Sequence, residues 1–138
     1  MRAGGTPHEV VNPPSMAPAV GFAHAVVAAP GRLVLLGGQT AQAPDGSIVG
    51  ATLVEQWDRA AANLVTALAA VGARPEHLTS LVVYTTDMAA YRASLRPLGE
   101  VYRRHLGRHY PAMALLGVAE LFDPAALVEL VATAVVPD

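Results

Sequence analysis

Glu129 is the residue whose setting first suggests chemistry. It stands inside LVELVATAVV, an otherwise apolar run near the C-terminus. Side chains alternate along a strand, so Leu127, Glu129, Val131, Thr133 and Val135 share one face, and Val128, Leu130, Ala132, Ala134 and Val136 share the other. With both faces apolar, the strand is expected to be covered on both sides. A carboxylate there is costly unless it is paired, hydrogen-bonded or open to water. Glu129 therefore reads as either a structural ion-pair partner or the reactive group of a site.

A second candidate is Gly37-Gly38-Gln39, directly after the apolar run Leu33–Leu36. Paired glycines there read first as a bulge or tight bend, and second as a place where backbone approaches a ligand closely. Arg103, Arg104, His105, Arg108 and His109 crowd the end of a helix, where cations complement the helix dipole. A solvated helix end is the favoured reading of that cluster, and an anion receptor the lesser one. His105 and His109 are four apart but span Gly107, a helix-ending residue, so no metal site is expected. His24 reads as a satisfied polar group rather than a site residue. The chain has no P-loop, GxGxxG, HExxH or GxSxG pattern, and no cysteine for thiol or thiolate chemistry.

Several elements must position these residues. The first 18 residues hold Pro7, Pro13, Pro14 and Pro18 and read as an irregular arm with a short extended piece at His8–Val11. A single domain is expected from residue 19 to 138. Val20–Ala28 and Leu33–Leu36 read as strands around a Pro30-Gly31 turn, and Pro44-Asp45-Gly46 as a turn before a brief strand at Ser47–Val49. Thr52–Val71 is the clearest helix. Leu53, Trp57, Ala60, Ala61, Leu64, Leu68 and Val71 line one face, Thr52 and Glu55 form a capping box, and Gly72 follows. On that stripe Trp57 reads as core. Leu78–Thr86 is β-rich, with Asp87 as the next N-cap; Met88–Leu95 reads as a short turn, and Pro97 as the first residue of a helix to Leu106. Tyr110–Val136 supplies two apolar strands joined at Phe122-Asp123-Pro124.

The order β-β-(β)-α-β-α-β-β gives an α+β domain with its helices on one face of a mixed sheet. No helix remains for the other face, so a second copy is the natural cover. Composition agrees: charged residues are 14% of the 138, against about a quarter in an average domain. The net charge of −2 gives no basic footprint for nucleic acid or anionic membranes. No apolar leader or membrane-length run appears, and a cytoplasmic protein is expected.

Taken together, GFAHAVVAAPGRLVLLGGQTAQAPDGSIVG, LAAVGA, VVYTTDM, YPAMALLGVAEL and LVELVATAV resemble the RidA family (YjgF/YER057c/UK114) in order and spacing from Val20 to Val136. The resemblance implies a chorismate-mutase-like fold and a homotrimer around a central β-barrel, with three clefts between subunits. It also implies hydrolysis of reactive enamines and imines, such as 2-iminobutanoate and 2-iminopropanoate, to 2-oxo acids and ammonia, with no cofactor and no metal. The implied ligand-binding positions are Phe22, Gly37, Gly38, Gln39, Met113, Ala114 and Leu115, and the implied catalytic acid is Glu129. The departures are specific. Met113 stands where the family has a carboxylate-binding arginine, Gly37 replaces a serine, Phe22 a tyrosine and Leu115 a cysteine.

A guanidinium–carboxylate contact is worth about 1.5–3 kcal/mol, so a small imino acid should bind poorly here. The expected function is a RidA-like hydrolase or deaminase acting on a less acidic enamine, imine or related metabolite. The alternative is a non-catalytic trimer that binds a small molecule. Arg32, Arg96 or Arg108 could supply a substitute cation. RNA cleavage is disfavoured by the negative charge.

Overall fold

The computed structural model describes residues 5–138; the start of the expected N-terminal arm, residues 1–4, lies outside them. Near the N-terminus, β1 (Glu9–Val11) and β2 (Ala25–Val27) form an antiparallel pair. The main sheet holds β3 (Gly31–Leu35), β4 (Leu78–Thr85), β5 (Ala112–Gly117) and β6 (Val128–Pro137), in the spatial order β3-β6-β4-β5. Only β4 and β5 run parallel. Parallel neighbours need a crossover, and α2 (Met88–Ala93) and α3 (Leu95–Leu106) provide it.

Helix α1 (Leu53–Ala70) packs beside α3 over one sheet face. Its apolar stripe, from Leu53 and Trp57 to Leu64 and Leu68, closes the core against Leu81, Val83, Val128 and Leu130. This is the expected α+β, chorismate-mutase-like arrangement, with two main helices on one face. The cap expected at Thr52 is present: its hydroxyl accepts the Glu55 amide N–H at 3.2 Å. No helix among the described residues is long and apolar enough to cross a membrane.

Three elements differ from expectation. The run Val20–Ala28 yields only the three residues of β2, because Gly21 turns the chain at φ 74°, Ala23 makes a lone bridge to Ala112, and only Ala25–Val27 pairs continuously. His24 is a satisfied group there, its ring bonded to the Ala17 carbonyl and its amide to Asn12. The segment Ser47–Val49 makes a single bridge, Gln42 to Ile48, rather than a strand. Helix α3 starts two residues before Pro97, which occupies its third position. The first four amides of a helix have no intrahelical acceptor, so a proline in that turn forfeits no bond. The short turn expected at Met88–Leu95 is α2, which shares Ser94 with α3 as a common cap.

Candidate functional site

Pairing register decides which residues share a side of the sheet. Met113 pairs with Leu81 and Leu115 with Val83, and both β4 partners are buried under the helices. Glu129 pairs with Tyr84, which pairs on its other side with Leu116. Leu130 and Val128, the neighbours of Glu129 along β6, are fully buried. Alternation therefore puts Met113 and Leu115 on the helix-covered side, and Glu129, Tyr84, Ala114 and Leu116 on the open side. Within one chain, the candidate acid and Met113 face opposite ways.

The Gly37-Gly38 step is a β-bulge. Leu36 N–H donates to the Ala132 carbonyl, and Gln39 exchanges two 2.8 Å hydrogen bonds with Leu130. Gly37 and Gly38 thus lie opposite Val131 alone, two residues against one. The close approach at this spot is made by Glu129 itself. A Cβ on Gly38 would overlap Glu129 Oε2, whereas one on Gly37 would meet nothing within 4 Å. Gln39 folds its side-chain amide back onto the Gly37 carbonyl. Glu129 is half-buried and forms no ion pair among the described residues, so the structural ion-pair reading finds no partner among them.

What holds Glu129 in place starts two residues earlier. Leu127 is fixed on both sides. Its N–H donates to Gln56 Oε1 at 2.8 Å, and its carbonyl accepts from the Thr85 hydroxyl at 2.9 Å. Gln56 is buried, and its amide also donates to the carbonyls of Gly50 and Ala125. Sequence reading missed Gln56. The signal was present, since a polar residue one position before Trp57 falls on the buried stripe of α1.

On the helix-covered side, a cavity of about 620 Å³ opens between α3, β5 and the Gly21–Phe22 segment. Phe22, Met113 and Leu115 line it, joined by Ala114 although alternation turns its side chain to the other face of β5, so four expected ligand positions border it. A hydrogen bond from Ala23 N–H to the Pro111 carbonyl, 2.9 Å, ties the Phe22 segment to the start of β5. Gly37, Gly38, Gln39 and Glu129 belong to the other cluster.

Sequence reading did not assemble the rest of the cavity: Trp57, Tyr91, Tyr102, Tyr110 and, from α3, Gly99 and Arg103. Tyr102 and Tyr110 stack with centroids 4.8 Å apart, and Tyr102 donates its hydroxyl to the His109 carbonyl. Burial, reinforced by Tyr110, pushes the Tyr102 phenol well above its ordinary range. Burial likewise raises the Tyr91 phenol, with the neighbouring Trp57 indole partly offsetting it. The indole N–H is nonetheless buried without a hydrogen bond of ordinary geometry.

The expected basic cluster divides. Arg104 and His105 both bind Asp58 of α1, while His109 bonds to the Leu78 carbonyl. Arg103 has no ion pair among the described residues and turns to the cavity.

A β-bulge that admits a strand carboxylate, on a mixed sheet with two helices over one face, defines the class: a small α+β protein with an acidic group seated in its sheet. The chain belongs to the family described as Endoribonuclease L-PSP, also called YjgF/RidA, whose match spans residues 13–136. Two solved structures illustrate the likeness. YyfB, a Rid-family protein of Yersinia pestis, is 32% identical over 94% of this chain and 98% of its own, with a TM-score of 0.84. Rv2704, a YjgF/YER057c/UK114 member from Mycobacterium tuberculosis, is 30% identical over 94% and 99%, with a TM-score of 0.63. Among curated proteins none matches.

Proposed function

We propose that the protein is a hydrolase of reactive enamines, imines or related small metabolites, with Glu129 as the group that handles water. The observation carrying this reading is the Glu129 carboxylate, without an ion pair among the described residues and seated where Gly38 leaves room for it. In the reaction, the water oxygen bonds to the imine carbon while Glu129 takes its proton. That proton passes to the nitrogen to give a carbinolamine; Glu129 then moves the hydroxyl proton to the nitrogen as the C–N bond breaks, so both water protons end on nitrogen and a carbonyl product and ammonia leave. Met113, in place of an arginine, argues against efficient use of 2-iminopropanoate.

The same reading includes a homotrimer. Leu33 and Leu35 on the open side of the sheet are 65% and 75% exposed, a pattern that copies of the chain would cover. Association would also bring the Glu129 cluster of one copy toward the cavity of another, resolving their opposite orientation. RNA cleavage is not proposed, because a chain of net charge −2 lacks the electrostatic footprint for it.

The test follows ammonia release from 2-iminobutanoate generated in situ, in wild type, Glu129→Gln and Met113→Arg. Turnover by wild type that disappears in Glu129→Gln supports the reading. Turnover only in Met113→Arg means that the scaffold has moved to another ligand.

One observation favours a second reading, a non-catalytic small-molecule binder. In a single chain the cavity lies on the side of the sheet away from Glu129, and its lining is largely apolar. Ligand binding without turnover by any of the three variants would select it.

A further inference from the structure

Gly99 breaks a local rule. Glycine inside a helix is less stable than alanine there, yet Gly99 sits in the middle of α3. The structure supplies a reason. A Cβ at Gly99 would lie 3.3 Å from Arg103 Nη1 and 4.0 Å from Nη2. The guanidinium folds back over the bare turn of helix, and both residues line the cavity. Arg103 is exposed and has no carboxylate partner among the described residues. The surface below it is apolar or aromatic: Phe22, Trp57, Leu98, Tyr110 and Met113.

We propose that this cavity takes a ligand with a carboxylate at one end and a bulky apolar or aromatic body at the other, Arg103 gripping the carboxylate from its seat on Gly99. This names the ligand class of the cavity in the functional reading above and rests on that cavity being the site. One planar guanidinium matches one carboxylate through two parallel hydrogen bonds. A dianionic phosphate would call for further donors, and among the described residues Arg103 is the one cation in the lining. A cavity of about 620 Å³ is far larger than a three-carbon acid needs.

Trp57 also provides the readout. It is the sole tryptophan of the chain and lines the cavity, so its emission reports occupancy directly. The probes are 3-phenylpropanoate, its neutral counterpart 3-phenylpropanamide, the short propanoate, and benzyl phosphate. Phenylpropanoate is expected to bind saturably and about tenfold to a hundredfold more tightly than the amide. Propanoate should bind more weakly still. Arg103→Met should abolish the preference for the acid over the amide, while Arg92→Met, on α2 and outside the lining, should preserve it. Gly99→Ala should weaken phenylpropanoate binding while raising Tm, a split that simple structural damage would not produce.

Equal binding of acid and amide by wild type overturns the proposal. So do an unchanged preference in Arg103→Met, tighter binding of benzyl phosphate than of phenylpropanoate, and no binding by any probe. None of the probes is an imine. A hydrolase reading that fails leaves this binding result standing, and a missing acid preference leaves the hydrolase reading to its own test.

Discussion

Gly38 and Glu129 are fitted to one another across the bulge: the carboxylate of one fills the space that a side chain on the other would take. The glycine is thus required by a neighbour on β6, whatever ligand the protein holds. Gly38→Ala is expected to displace Glu129, cost about 1–3 kcal/mol as overpacking does, and remove any Glu129-dependent turnover. Gly37→Ala, with nothing within 4 Å, should change stability by less than about 1 kcal/mol. Urea unfolding of both variants, paired with the ammonia assay, checks the contrast.

Gln56 locks the start of β6 through three hydrogen bonds to backbone groups. Gln56→Leu keeps the volume but strands the Leu127 N–H and two carbonyls. A loss on the order of 2–3 kcal/mol is expected, read as a lower denaturation midpoint with an unchanged slope. Turnover should fall with it if Leu127 sets the placement of Glu129.

Acid should weaken the fold through buried histidine. His109 is held below its ordinary pKa, chiefly by burial and partly by His8, against the opposing Leu78 carbonyl and Glu76; burial likewise lowers His77. The native state then binds fewer protons than the unfolded chain, so stability is full above the unfolded value of 6.5. It declines as pH falls below that value and levels off below the native pKa. Unfolding free energies at pH 7.5 and pH 5 should show the decline, and His109→Gln should flatten it.

The open side of the sheet makes its own prediction. Leu33→Asp with Leu35→Asp should turn the proposed trimer into a monomer, with little effect on α1 and α3 on the opposite side. Light scattering gives the mass, and a wild-type protein that is already monomeric would sink the assembly.

Much of this was legible in sequence for identifiable reasons. Periodicity exposed α1, and a charge within an apolar run exposed Glu129. A glycine pair in a strand was legible as a bulge, while the close approach found at Gly38 is made by Glu129 rather than by a ligand. The opposite facing of Met113 and Glu129 was not legible, because it depends on the register of β5 and β6 against β4. Nor was the cavity, whose residues Phe22, Trp57, Tyr91, Arg103 and Met113 are scattered along the chain and meet only after folding. Pro97 misled because proline is tolerated anywhere in the first helical turn.

The place of β6 between β3 and β4 bears on how the protein is made. It follows both in the chain yet separates them in the sheet, so β3 has no neighbour in the main sheet until β6 emerges from the ribosome. β4 and β5 can pair earlier, and α1 can coil on its own, but Leu33 and Leu35 must wait about a hundred residues for their partners Val135 and Thr133. A nascent chain thus holds one exposed β-rich segment throughout translation, the condition under which chaperone capture and misassembly compete with folding.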